Sequence, residues 1–202
     1  MQIYRPRSSY VWGYIAIGVG AIVALLPLLG GGFDQARGTF AVGAAVAAFG
    51  TASFLRPHVA VTDERVEMHN ILTTATVPFA RLSALDTRWT LEAIGDDGRK
   101  AGAFAAPAPG AAQSHRIQKD IAKTGTDVSV EGGAAPLRPG DRVGTPSGDA
   151  AAMVRDRWRA WQQAHPDGPT GGEESSVTRG LDPIGIALIL LGTAAAVWGL
   201  LG

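Results

Sequence analysis

Hydrophobic residues follow two different rules along this chain: continuous at its two ends, alternating in between. No charged residue falls between Arg7 and Asp34, between Arg37 and Arg56, or after Asp182. Placing Arg or Asp in hydrocarbon costs several kcal/mol, so charge-free apolar runs of roughly 17–25 residues predict membrane-spanning helices. Spans are predicted over 10–29, 39–55 and 183–201. The second is the shortest, dominated by Ala and Gly, and is expected to insert as a hairpin with the first. The first is too long for a signal-peptide core. It runs into Gly30-Gly31-Gly32 rather than a small-x-small cleavage site, so it is read as a retained span.

After Arg56 the pattern changes to period two. Val59 and Val61 alternate with polar or small residues, as do Val66 and Met68, then Ala75, Val77 and Phe79. The longest such run is Leu85, Thr87, Trp89, Leu91 and Ala93, interleaved with Asp86, Arg88, Thr90 and Glu92. One apolar face per segment predicts antiparallel strands packed on one side. Turn chemistry fills the gaps: Thr62 to Arg65, a turn opening at Asn70, and the Gly95-Asp96-Asp97-Gly98 hairpin. About six short strands with tight turns predict a small β-sandwich or barrel over 56–110.

Beyond Gly110 the pattern weakens. A short helix is expected over 111–123, then a Gly/Pro-rich linker to 148. A better helix follows over 149–165, capped by Asp149, with Val154, Trp158 and Trp161 recurring on one face. Residues 166–182 read as a flexible tether into the third span.

The run HVAVTDERVEMHNILTTATVPFARLSALDTRW, the GDDGRK hairpin and the AFAAPAPG exit resemble the bacterial pleckstrin-homology-like domain. More narrowly, the chain resembles small actinobacterial membrane proteins that place two spans just before that domain. The resemblance implies an α+β membrane protein, its antiparallel β-domain closed at one mouth by a helix, here with Trp158 inserted. The fold's familiar use is phosphoinositide binding through a basic first hairpin. Here that hairpin carries Asp63 and Glu64 beside Arg65, so no specific phosphoinositide is expected.

Charge then sets orientation. Arg5 and Arg7 precede the first span and Arg56 follows the second, whereas the intervening loop has Arg37 offset by Asp34. The positive-inside rule places the N-terminus and the β-domain on the cytoplasmic face of the plasma membrane. Overall charge is balanced, 18 basic against 18 acidic residues, so nucleic acid is not an expected partner. There is no cysteine, which removes thiolate catalysis and thiolate metal sites. His58, His69, His115 and His165 show no metal-ligand spacing, although His58 and His69 fall on adjacent predicted strands. No catalytic or nucleotide-binding motif occurs, so neither enzyme activity nor a cofactor is expected.

Two residue sets remain as candidate surfaces. Glycines recur every seven residues in each span, among them Gly43 and Gly50, then Gly185, Gly192 and Gly199. Seven residues is nearly two helical turns. The spacing therefore reads either as helix-packing seams or as the general abundance of glycine here. Arg155, Arg157, Arg159, Trp158 and Trp161 mark the late helix as a docking helix for the β-domain or as a surface for anionic lipid. The expected function is a non-enzymatic scaffold at the bilayer, serving a protein partner or a second copy. The alternative is a membrane-surface sensor acting through that helix.

Overall fold

The computed structural model describes residues 1–110, 115, 116, 119, 139–168 and 175–201, with the side chains of 28–36 and 139 set aside. Of the helix expected at 111–123 only 115, 116 and 119 are described, and they are helical; 124–138 lie outside the described residues. The chain folds as two compact units. One comprises Met1–Arg5, His58–His69 and Thr74–Gly180; the other comprises Pro6–Pro57, Asn70–Thr73 and Leu181–Gly202.

Among the described residues the first unit is built on eight strands. β1 (Gln2–Tyr4), β2 (His58–Val61), β3 (Arg65–His69), β4 (Thr73–Pro78) and β8 (Thr178–Leu181) form one sheet in the order β1-β2-β3-β4-β8. β5 (Leu82–Asp86), β6 (Thr90–Gly95) and β7 (Lys100–Pro107) form the second. Both are antiparallel along their described pairings, and β2 pairs with β3 in the register His58↔His69 and Val59↔Met68. The alternation seen in sequence is the reason: Val66 and Met68, Ala75 and Val77, Leu91 and Ala93 all turn inward.

Their side chains meet Phe79, Leu82, Ala101 and Ala103 in one core. Phe79, Met68 and Leu91 are its largest fully buried members, each worth about 1.5–3 kcal/mol of apolar burial.

Helix α3 (Pro146–Ala164) packs on this core through Ala150, Ala151 and Val154, flanked by Met153, Trp158 and Trp161. It begins earlier than its hydrophobic pattern predicts. Thr145, not Asp149, is the N-cap: its Oγ1 accepts from Gly148 N–H at 3.1 Å, with Pro146 opening the helix. The Asp149 carboxylate instead accepts from Gly144 N–H at 2.7 Å.

The end of the expected linker is also structured. Thr87 Oγ1 donates to Asp141 at 2.6 Å, and Ser147 Oγ donates to the Gly140 carbonyl at 2.8 Å. The first bond pins this segment to the β5–β6 turn, and the second closes the segment on itself.

Likewise, 175–181 is no tether. Ser176 and Val177 are buried, and β8 lies beside β4 in the sheet. Ser176 Oγ donates to the Asp97 carboxylate, Arg99 Nη1 donates to Ser175 Oγ at 2.5 Å, and Arg179 donates to the Lys100 carbonyl at 2.8 Å. The GDDG hairpin thus holds the segment that leads to the last span.

The second unit is helical. α1 (Arg7–Leu25) ends at Pro27, which lacks an N–H and cannot sit in a helix interior without cost. α2 (Leu28–Gly50) starts directly after it, so the loop expected at Gly30–Gly38 is helical backbone. A π turn at Thr51–Leu55 continues α2, with Thr51 Oγ1 bonded back to the Ala47 carbonyl at 2.8 Å. α4 is Pro183–Leu201. Three helical stretches, Arg7–Leu25, Arg37–Leu55 and Pro183–Leu201, are each 19 residues long and apolar enough to cross a membrane.

Candidate functional sites

Backbone proximity dominates the helical unit. A Cβ on Gly20 would stand 2.6 Å from the Gly43 carbonyl oxygen, and a Cβ on Gly43 would overlap the Gly20 carbonyl and Ala24. The other glycines of the set also meet neighbours: Gly50 the side chain of Ala16, Gly192 the ring of Phe49, Gly199 Ala41 and the Gly38 carbonyl. Gly185 lies against the Ile71 carbonyl. α2 packs against both α1 and α4. In lipid, where apolar burial drives no helix association, such close approach is what holds spans together.

The ends of two spans are joined by charge. Arg56 Nη2 donates to Asp182 Oδ2 at 2.7 Å, and Asp182 is only 2% exposed. Its second oxygen accepts from Gly185 N–H at 2.7 Å, so the same carboxylate caps α4 and neutralises the guanidinium.

In the β-unit each late-helix arginine lies near a carboxylate, and Arg159 stays exposed. Arg155 lies 3.5 Å from Asp141, Arg157 donates to Asp63 at 2.9 Å, and Arg159 lies 3.8 Å from Asp156. Trp158 and Trp161 are partly buried against the core. Trp161 stacks on His165 with centroids 4.7 Å apart. Between the β2–β3 turn and α3 runs a cleft of about 230 Å³, lined by Asp63, Glu64, Arg157, Trp161 and His165 among others. Each of these surface pairs is worth about 0–1 kcal/mol.

His58 and His69 do meet, as their strand positions suggest. The imidazoles stack at 4.3 Å with an 8° interplanar angle. Arg5 Nη2 stands 3.5 Å from His58 Nδ1, Thr74 Oγ1 lies 3.2 Å from His69 Nδ1, and Glu67 lies 3.4 Å from His69 Nε2. Among the described residues no group of three or more His, Asp or Glu is placed to hold a metal ion.

Tyr4, on β1, is packed against the core, and burial, with Asp149 nearby, pushes its phenol up to about 12. In the unfolded chain it titrates near the ordinary value of about 10. Below that value both states are protonated and Tyr4 contributes no pH dependence. Above it the unfolded state loses its proton first, so stability falls as pH rises from about 10 to about 12. The expected result is a tyrosinate absorbance difference between wild type and Tyr4→Phe centred near 12; a difference centred at 10 would show that Tyr4 is solvated. At the GDDG hairpin the Arg81 hydrogen bond holds Asp96 below the usual carboxylate range, and the Ser176 hydroxyl does the same for Asp97.

One exposed feature was not anticipated. The run Leu85 to Ala93 is two strands, not one: Arg88 N–H donates to the Asp86 carboxylate at 3.1 Å, and the chain turns there. Thr87 goes inward and Trp89 outward, 79% exposed. Phe104, 55% exposed, sits in the β7 bulge whose Ala103 and Ala106 carbonyls accept from the Thr90 hydroxyl. Trp89 and Phe104 therefore both adjoin Thr90. The overlooked signal was Asp86, whose side chain makes a turn without glycine or proline.

Comparison with family models, with curated proteins and with solved structures found no match to the chain.

Proposed function

We propose that the chain is a non-enzymatic membrane-anchored scaffold, its β-unit a pleckstrin-homology-like module on the cytoplasmic face that docks a protein partner. The observation that carries this reading is Trp89, 79% exposed on the short turn before β6, with Phe104 also exposed on the paired strand β7. Tryptophan is enriched among residues that dominate interface energies, and a large exposed aromatic in a soluble unit fits a docking surface. The late helix supports the same reading. With Arg155 and Arg157 paired to Asp141 and Asp63 from other elements, and both tryptophans partly buried against the core, it serves the β-unit more than a lipid surface. The orientation rests on Arg5, Arg7 and Arg56 flanking the spans.

The test is to purify the tagged protein from its native membrane in mild detergent and weigh the intact assembly. A heavier species containing a second protein is expected, and Trp89→Ala should weaken it by about 30-fold or more. The same variant should leave stability within about 0.5 kcal/mol, since Trp89 packs little in the fold. A wild-type protein that weighs only as a bare monomer contradicts the scaffold reading.

A further inference from the structure

We propose that the β3–β4 turn is a lipid-contacting wedge: Leu72 at its tip, together with Leu181, enters the headgroup–acyl boundary of the bilayer. The turn is closed by the Asn70 N–H, which donates to the Thr73 carbonyl at 2.8 Å and leaves Ile71 and Leu72 as the two tip residues. Tight turns ordinarily carry Gly, Asn, Asp or Ser at such positions, and large aliphatic side chains there gain nothing from water. Leu72 is nonetheless 45% exposed, and Leu181 75%. No Lys, Arg, Asp or Glu occurs from Met68 to Ala80, so no charge on this hairpin opposes entry into an apolar medium.

Position identifies the occupant. β3 belongs to the β-unit, but Asn70–Thr73 and Leu181 belong to the helical unit. The Asp182 N–H donates to the Leu72 carbonyl at 2.9 Å, and a Cβ on Gly185 would overlap the Ile71 carbonyl. The backbone of the turn therefore lies level with the first turn of α4. That helix rises about 28 Å over its 19 residues, close to the ~30 Å of hydrocarbon a span crosses, so its first turn sits at the membrane boundary. The 2.7 Å Arg56–Asp182 pair brings the end of the Arg37–Leu55 stretch to the same level. Ile184, in the first turn of α4, is 57% exposed and carries the apolar surface of the span up to Leu181 and Leu72. An apolar tip held at that level is buried by lipid, as interfacial segments are.

The chain has no cysteine, so Leu72→Cys, Leu181→Cys and Arg88→Cys each accept a single nitroxide label. The full chain is reconstituted in vesicles of phosphatidylcholine and phosphatidylglycerol. Collision of each label is then measured with oxygen, which concentrates in hydrocarbon, and with a neutral nickel chelate, which stays in water on both sides. Labels at Leu72 and Leu181 should show an oxygen-to-nickel ratio severalfold above that at Arg88, which is exposed on the β5–β6 turn. Two labelled leucines guard against one variant lost to misfolding. A ratio at Leu72 no higher than at Arg88 overturns the proposal. So does a Leu72 label shielded from both reagents, which would put protein, a second copy or another chain, over the turn.

Discussion

Replacing Asp182 by alanine is expected to destabilise the helical unit by about 3 kcal/mol, the low end of what removing one partner from a buried ion pair costs. The carboxylate is 2% exposed and serves two groups at once, Arg56 at 2.7 Å and the Gly185 N–H at 2.7 Å. Alanine removes the 2.7 Å carboxylate contact to the guanidinium and opens the first turn of α4. Arg56 keeps some solvent access, 23%, which places the figure at the low end of the range. Asp182→Asn separates the two roles. It can still accept from Gly185 but carries no charge, so it should fall between wild type and alanine. The readout is the unfolding midpoint in mixed detergent micelles. An alanine variant within about 1 kcal/mol of wild type would mean that the pair contributes little beyond a surface contact.

Gly43→Val should separate α1 from α2, at a cost of about 3 kcal/mol or more, beyond ordinary overpacking because the obstacle is backbone. The added carbons would meet the Gly20 carbonyl and Ala24, and neither can rotate away. Gly43→Ala should show a smaller loss of the same sign. Gly18 is the internal control: a Cβ there meets nothing within 4 Å, so Gly18→Ala should be neutral or slightly stabilising through helix propensity. If Gly18 and Gly43 respond alike, the effect lies in propensity and not in packing. Cross-linking between cysteines placed on α1 and α2 would report the separation independently of stability.

What could be read in advance followed from strong, local rules. The spans announce themselves because one charge in hydrocarbon outweighs any propensity, so the absence of charge is decisive. The β2–β3–β4 register follows from alternation, and it brought His58 opposite His69 as their strands suggest. The misses have equally physical causes. β1 is three residues long and β8 four, too short to show a period, and they form because a neighbouring strand offers them a ladder. The start of α3 was legible in Thr145-Pro146, a capping residue followed by proline, but hydrophobic periodicity begins only later. Trp89 was misplaced because Leu85 to Ala93 alternates perfectly through a turn that its side chains, not its glycines, create. As for the candidate sites, residue type alone separated neither packed from exposed tryptophan nor paired from free arginine. That depended on Asp63 and Asp141, brought in from elsewhere in the chain.

The order of strands in the larger sheet carries a consequence for how the chain is made. β1 leaves the ribosome first and β8 near the end, and β1, β2 and β8 each adjoin a membrane helix in the chain. Until the segment preceding α4 has been synthesised, β4 has no neighbour on its outer side and Asp97 lacks the Ser176 hydroxyl. Closing a sheet across so long a stretch of chain is slow, because the loop entropy is lost before the contacts form. An exposed strand edge in that interval is the place where unwanted pairing with other nascent chains would begin. Protease resistance of the β-unit should therefore rise only once Leu181 has been made and β8 can pair beside β4.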